Sequence, residues 1–302
     1  MRRALLSRFA TIVASGAAVA AVVIPGTAAT EMASPPAQAH GSPKSGISAM
    51  AGKKYVALGS SYAAGPDAAS VQNLPCLRTS DNYPHQVARA AGLRLTDASC
   101  SSATTANVLS KPQPPSGRVP QIAAVTPDTG LVTITVGGND IDYIGRLTAI
   151  SCANSLTAAT HSTQRCEKKH VVRSEPDADD FGRVQESLTE LIIAVHVRAP
   201  RARVLLVDYP PVLEPGHPLC AKLPLTAPQA AQTARVFDGL AAATARAAER
   251  GGARLVRASK AGAAHTVCSS DPWLNGFELP IPYHPTPSGK AGMARLVLAA
   301  LR

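Results

Sequence analysis

The feature that most constrains the fold is the run from Leu131 to Val136, which is rich in β-branched residues and ends at Gly137 and Gly138. Such a run is typical of a buried strand that enters a turn. Four other short apolar runs also predict strands, so that the candidates are 55–58, 93–98, 131–136, 203–208 and 253–256. Because helical patterns separate these runs, we predict an α/β fold, a three-layer α/β/α sandwich with a mostly parallel five-stranded sheet.

The predicted helices carry recognisable start and stop signals. Pro84 lies early in the first helix and Gly92 follows its last residue, while Thr286 is placed to cap the final helix ahead of Pro287. The predicted helices are 83–91, a short one at 118–125, 180–198, 227–250 and the segment that begins after Thr286.

The first residues resemble an export signal rather than part of the fold. Three arginines precede an apolar stretch from Phe9 to Ile24, and small-residue cleavage sites follow near residues 29 and 39. We therefore predict a signal peptide and leader over 1–39, a flexible linker over 40–53 and one folded domain over 54–302, with an uncleaved anchor as the alternative. Export predicts a secreted, extracellular protein.

The even number of cysteines agrees with export. Six cysteines permit 15 pairings, and pairing in chain order keeps every loop local. We predict three disulfides, Cys76–Cys100, Cys152–Cys166 and Cys220–Cys268. No metal site is predicted, because no pair of cysteines has the C-x-x-C spacing.

The net charge of +10 does not by itself indicate a nucleic-acid partner. The arginines are scattered, with no interleaved aromatic residues and no recognition motif, so we predict no nucleic-acid binding. A weak attraction to anionic surfaces is consistent with the charge. Hydrophobic residues make up 45% of the chain, which excludes disorder for its bulk.

Three polar residues lie where chemistry is expected in such a fold. Ser61 follows the first strand and Gly59, Asn139 follows the clearest strand, and His284 lies just ahead of the last helix. Ligands bind at the carboxyl ends of parallel strands, so the first two loops are expected to share one crevice. Each residue taken alone also has a structural interpretation, such as an Asn that stabilises its own turn.

Together these motifs resemble the SGNH hydrolase family, also called GDSL esterases and lipases, in its secreted actinobacterial branch. Gly59-Ser60-Ser61 is similar to the first block, Ser102 stands at the glycine of the second block, Gly137-Gly138-Asn139-Asp140 matches the third, and His284 matches the histidine of the last. The resemblance implies a flavodoxin-like fold, Ser61 as nucleophile and His284 as general base. It also implies an oxyanion hole of the Ser61 and Ser102 N–H groups and the Asn139 amide, with no cofactor.

The sequence departs from the family at three positions. Ser60 replaces an Asp, Ser102 replaces a Gly, and Ile281 stands where the acid of the triad is expected. The resemblance implies that the backbone carbonyl of Ile281 orients His284, with Asp271 or Glu278 as alternatives.

These observations predict a secreted serine esterase or lipase, acting as a monomer on small-molecule or lipid acyl esters. Lipid esters and acetylated polysaccharide are both possible substrates. The alternative is a non-catalytic relative that binds cell-wall glycan or lipid.

Overall fold

The structure is a computed structural model that describes residues 46–67, 69–160 and 174–302. All five predicted strands are present: β1 Lys54–Gly59, β4 Arg94–Asp97, β5 Thr129–Thr135, β6 Arg203–Val207 and β7 Arg254–Val256. They pair in parallel, in the spatial order β4-β1-β5-β6-β7. A short antiparallel pair that the sequence did not predict, β2 Val71–Asn73 and β3 Arg78–Thr79, lies outside this sheet.

The helices agree with the predicted ones to within two residues wherever a helix was predicted, except at 118–125. That segment forms only a 3-10 turn, Gln121–Ala124. The α-helices are α1 Ser61–Ala64, α2 Tyr83–Ala91, α3 Thr105–Leu109, α4 Tyr143–Thr160, α5 Ala178–Arg198, α6 Ala227–Gly251, α7 Ala258–Ala261 and α8 Pro287–Ala300. Among them α1, α3, α4 and α7 were not predicted.

The two faces of the sheet are covered by different helices. Alternate residues of a strand point to opposite faces, and β1 follows this rule: Val56 belongs to one hydrophobic cluster and Tyr55 to the other. The Val56 cluster includes residues of α5 and α6, and the Tyr55 cluster includes residues of α2 and α8. The predicted three-layer α/β/α architecture is therefore correct.

The prediction of a flexible linker over 40–53 is wrong for its last residues, which are packed against the folded domain. Ser48–Met50 forms a 3-10 turn, the side chain of Met50 is buried, and Gly52 N–H donates to the carbonyl of Gly92 at 2.8 Å. The apolar side chains of Ile47 and Met50 pack on the Tyr55 cluster, so the folded part begins before Lys54. The predicted signal peptide and leader, 1–39, lies outside the described residues, and within those residues no helix is long and apolar enough to cross a membrane.

Two of the three predicted disulfides are present, Cys76–Cys100 and Cys220–Cys268. The first links the turn after β2 to the loop after β4. The remaining predicted pair, Cys152–Cys166, includes a residue, Cys166, that lies outside the described residues.

Candidate active site

Ser61 lies at the first position of α1, directly after β1. The chain turns sharply there because Gly59 has φ +151°, and a Cβ at Gly59 would lie 2.4 Å from the carbonyl oxygen of Thr135. Only glycine fits such a position. The turn places Ser61 at the wall of a cavity of about 500 Å³ at the carboxyl end of the sheet.

Ser60 stands where the family pattern has an Asp, and it is buried. Its hydroxyl lies 3.4 Å from both the carbonyl oxygen of Thr135 and the hydroxyl of Tyr209. A neutral serine meets these two partners without bringing a charge into the core, which would require a counter-charge.

The amide of Asn139 is fixed by a hydrogen bond of 2.8 Å from Nδ2 to the carbonyl oxygen of Ala103. Asn139 also lines the cavity that contains Ser61. One N–H of the amide is thus used to set its plane, and the other can donate to negative charge that develops in the cavity.

Ser102 lines the same cavity, and its backbone is left-handed with φ +68°. This conformation favours glycine, the residue that the family pattern has here. The backbone amide is retained, so the departure from glycine keeps a donor and adds backbone strain.

Asp140 ties the loop after β5 to the start of α3. Its carboxylate accepts from the Thr105 hydroxyl at 2.5 Å and from the Thr105 backbone N–H at 3.1 Å. Burial raises the pKa of Asp140, and the two bonds from Thr105 oppose that rise. Because Asn139 and Asp140 bond to Ala103 and Thr105, the loops that carry the two candidate oxyanion donors are held as one unit.

The imidazole of His284 is oriented by a backbone carbonyl, but by that of Pro282. Nδ1 lies 2.8 Å from the Pro282 oxygen, so the prediction that Ile281 supplies the carbonyl is wrong by one residue. The reason is that Tyr283 has φ +61°. This left-handed conformation turns the chain so that the carbonyl of Pro282 faces the imidazole ring of His284. An Nδ1–H held in this way leaves Nε2 as the basic nitrogen.

Asp271 and Glu278, the two carboxylates predicted as alternatives for orienting His284, form contacts with other residues. Asp271 accepts from the Ser288 hydroxyl at 2.7 Å, and its carboxylate also lies 3.4 Å from Nδ1 of His265. Glu278 forms an ion pair with Lys222 at 2.8 Å. Neither carboxylate orients His284.

Burial lowers the pKa of His284 to about 4, and the Pro282 carbonyl offsets the effect only in part. The ring is therefore neutral near pH 7. A neutral imidazole with a fixed tautomer is the state that a general base requires.

The cavity brings together the four residues that the sequence predicts to act as nucleophile, general base and oxyanion donors. Ser61, Ser102, Asn139 and His284 line it, and Ile281 lines it as well. The rest of the wall is mixed: its apolar side chains include Leu77, Ile144, Leu279, Pro280 and Pro282, and its polar ones are Ser101, Thr104, Asp142 and Thr148. The described residues contain no cluster of His, Cys, Asp and Glu that could hold a metal ion.

Two buried tyrosines support the site, and the sequence analysis did not identify them. The hydroxyl of Tyr62 donates to the carbonyl oxygen of Tyr283 at 2.7 Å, and the hydroxyl of Tyr209 accepts from Gly138 N–H at 3.1 Å. Their rings meet edge to face, with centroids 4.7 Å apart. The position of Tyr62 directly after Ser61 was the one available signal; nothing in the sequence pointed to Tyr209.

Comparisons with known proteins show which family the chain resembles. The model of the GDSL-like Lipase/Acylhydrolase family matches residues 57–291. Lipase 2 of Streptomyces coelicolor is 35% identical over 82% of this chain and 85% of its own length. Among solved structures, an extracellular lipase of Streptomyces rimosus has 27% identity and a TM-score of 0.63 over 82% of this chain and 99% of that one. Phospholipase A1 of Streptomyces albidoflavus has 26% identity and a TM-score of 0.65 over 83% and 100%.

Proposed function

The chain belongs to the GDSL-like lipase and acylhydrolase family and is a carboxylic ester hydrolase, and from this premise we propose that it cleaves lipid acyl esters through an acyl-enzyme on Ser61. The observation that carries the proposal is the convergence of Ser61, His284, Ser102 and Asn139 on one cavity. Because these residues all come from one chain, a monomer is sufficient for activity.

In the first half of the reaction, Nε2 of His284 takes the proton from Ser61 Oγ as that oxygen attacks the ester carbonyl carbon. The carbonyl electron pair moves onto its oxygen, which accepts from the backbone N–H groups of Ser61 and Ser102 and from the Asn139 amide. Each such donor contributes about 3–4 kcal/mol to the transition state. The tetrahedral intermediate then collapses, the C–O bond to the alcohol breaks, and the alcohol oxygen takes the proton from His284.

In the second half, water attacks the acyl carbon while His284 takes one of its protons. The same donors hold the oxyanion, and Ser61 leaves with the proton from His284. The products are one alcohol and one carboxylic acid. The Pro282 carbonyl holds the ring in the same tautomer through both halves. A carbonyl dipole stabilises the imidazolium less than a carboxylate would, in line with the lowered pKa of His284.

The mouth of the cavity favours lipid acyl esters over acetylated polysaccharide. Leu279 is 77% exposed and Leu77 is 37% exposed, and both line the cavity. Leu74, which is 72% exposed, lies on the same turn as Leu77. Leucines gathered in solvent around a catalytic cavity mark a surface for an apolar ligand. The polar side chains of the cavity lie in its wall, whereas the exposed side chains named here are apolar.

We also propose that the enzyme acts outside the cell. The basic and apolar start of the sequence, the disulfides Cys76–Cys100 and Cys220–Cys268 and the extracellular lipase of Streptomyces rimosus support this location. The net charge of +10 favours a weak attraction to anionic lipid surfaces.

The experiment that tests the proposal measures hydrolysis of p-nitrophenyl esters from acetate to palmitate by the wild type and by the S61A variant. We expect S61A to lose at least about 10³-fold in kcat on every ester. The matched control is S60A, which removes a hydroxyl from the adjacent buried position and is expected to retain most of the activity. Wild-type activity that survives in S61A would refute the serine mechanism.

A second arm tests the substrate class. Leu279→Ser removes apolar surface from the mouth without touching Ser61 or His284. We expect kcat/KM for palmitate to fall about tenfold and kcat/KM for acetate to stay unchanged, because only the long chain reaches this residue. An equal loss on both esters, or a wild type that cleaves only acetate, would exclude the lipid assignment.

A further inference from the structure

A second cavity lies away from the catalytic one, beneath the loop that follows β6. It has a volume of about 130 Å³. Its walls are mostly apolar and come from the loop, from α6, from the first residue of α4, and from α7 and the 3-10 turn that follows it. They include Tyr143, Val212, Leu213, Ala234, Phe237 and Ala263. None of its lining residues lines the catalytic cavity. An apolar cavity of about 150 Å³ binds benzene, so this one is of the size of a small organic molecule.

The cavity continues into a neighbouring space of about 310 Å³. The two share Leu213, Glu214, Pro215 and Ala234, and the outer space is lined further by Gly216, His217, Leu219 and alanines of α6. Pro215 is exposed and gives an entrance from solvent. The combined shape is a short apolar channel that leads inward to Tyr143.

The inner end of the channel contains a hydroxyl group that has no partner. Tyr143 is 2% exposed, and within the part of the chain that the structure describes its hydroxyl forms no hydrogen bond. The other two hydroxyls in the lining are occupied, since Thr233 donates to Gln229 and Ser259 donates to Asp208. A buried hydroxyl without a partner is unfavourable, and a ligand that accepts from it relieves that cost.

The charges near the channel select against anions. The carboxylate of Asp238 lines the inner cavity. That of Glu214 lies where the two cavities meet, 3.5 Å from Nε2 of His217, which lines the outer space. Burial raises the pKa of Tyr143, and the Asp238 carboxylate raises it further, so the phenol remains a proton donor. A carboxylic acid in its ionised form would face two like charges, whereas an alcohol brings none.

We propose that this channel is a non-catalytic site for an uncharged primary alcohol with a short alkyl chain, whose oxygen accepts from the Tyr143 hydroxyl and whose chain lies along Leu213 and Ala234. The site is independent of the ester chemistry, since it shares no residue with the catalytic cavity.

The test titrates 1-hexanol into methyl-labelled protein and follows the methyl resonances by NMR. We expect saturable shifts at Val212 and Leu213, and hexanoate is expected to bind at least about tenfold more weakly. Shifts confined to Leu77 and Leu279 would place the alcohol in the catalytic cavity and overturn the proposal. So would the absence of saturable shifts, or equal binding of hexanoate.

Two variants complete the test. Tyr143→Phe keeps the ring and removes the donor, and is expected to weaken 1-hexanol binding about fivefold, the value of one neutral hydrogen bond. Ala234→Leu fills the channel and is expected to abolish the shifts. Its matched control is Ala242→Leu, at an exposed position of the same helix, which is expected to bind as the wild type does. Unchanged affinity in either channel variant, with a native methyl spectrum, would refute the site.

Discussion

The hydroxyl of Tyr62 donates a hydrogen bond of 2.7 Å to the backbone carbonyl oxygen of Tyr283, and both groups are buried. Tyr62 is the neighbour of Ser61 in sequence, and Tyr283 is the neighbour of His284. The bond therefore joins the two segments that carry the candidate nucleophile and base, which are more than 200 residues apart. The Tyr62 ring also lies near the imidazole, with centroids 5.8 Å apart.

We expect Tyr62→Phe to lower kcat about tenfold, because small displacements of a base from its nucleophile are costly. The free energy of unfolding should fall by about 1 kcal/mol, since the Tyr283 carbonyl loses its donor. Steady-state kinetics on a p-nitrophenyl ester and urea denaturation measure the two effects.

Tyr55→Phe is the matched control for that variant. Tyr55 is also fully buried. It lies near the start of β1, away from the carboxyl end of the sheet, and its hydroxyl is 2.8 Å from that of Thr133. We expect a similar loss of stability with kcat unchanged. Equal effects of the two variants on kcat would show that the Tyr62 bond has no positioning role.

Ser102 gives a second prediction, which separates backbone strain from catalysis. A left-handed φ of +68° is easy for glycine and strained for a β-branched residue. Ser102→Gly should retain activity and stability to within about 0.5 kcal/mol, because relief of strain offsets the added freedom of the unfolded chain. Ser102→Val should destabilise by about 1–2 kcal/mol. Urea denaturation checks both variants, and a loss of stability in Ser102→Gly would contradict the strain argument.

Most of the fold could be predicted from the sequence because its signals are local. The strand from Thr129 to Thr135 is β-branched, and α8 begins after a Thr-Pro cap. Helix α4 was not predicted, because its apolar residues do not gather on one face. The start of the folded unit was misplaced because Ile47 and Met50 are two isolated apolar residues in a stretch of small residues, and only the packing in three dimensions shows where they lie.

The candidate site was predicted less completely, for a different reason. Ser61, Asn139 and His284 follow a recognisable pattern, whereas the carbonyl that orients the imidazole depends on the φ angle of Tyr283. No side chain encodes which carbonyl faces the ring, so Pro282 could not be distinguished from Ile281. Tyr209 was missed for a similar reason, because its contact with Gly138 joins two distant segments.

The pH dependence of hydrolysis gives a third prediction. The folded-state pKa of His284 is lowered to about 4, from about 6.5 in the unfolded chain. Because only the neutral imidazole acts as a base, kcat/KM should hold its plateau down to about pH 5 and fall through a limb near pH 4. A base with the ordinary pKa would already have lost about nine-tenths of its activity at pH 5.5. A limb centred near pH 6.5 would contradict the prediction.

The contribution of His284 to the free energy of unfolding changes with pH in the same direction as the activity: both decrease as the pH falls. The unfolded chain binds a proton at His284 more readily than the folded chain does, so this residue contributes stability above about pH 6.5 that is lost as the pH falls towards 4. His284→Gln should therefore weaken the pH dependence of the free energy of unfolding over that interval. Urea denaturation at several pH values tests this.

The fourth prediction concerns Lys290, which is 1% exposed although its ammonium is charged. Nζ lies 2.9 Å and 3.1 Å from the two carboxylate oxygens of Asp81 and 3.5 Å from that of Asp67. These contacts tie the first turn of α8, which begins three residues after His284, to the segments after α1 and before α2. The side chain of Asp81, in contrast to that of Lys290, is 38% exposed.

This difference in burial predicts an asymmetry between two variants. Asp81→Asn leaves the buried ammonium with only the more distant Asp67, and should cost about 2–3 kcal/mol of unfolding free energy. Lys290→Met keeps the apolar stem and leaves a carboxylate that water can reach, so its cost should be only about 1 kcal/mol. The double variant should resemble Lys290→Met alone, because the orphaned charge is gone, and urea denaturation of the three proteins completes the cycle. A larger cost for Lys290→Met than for Asp81→Asn would contradict the argument from burial, because it would mean that the unpaired carboxylates cost more than the unpaired ammonium.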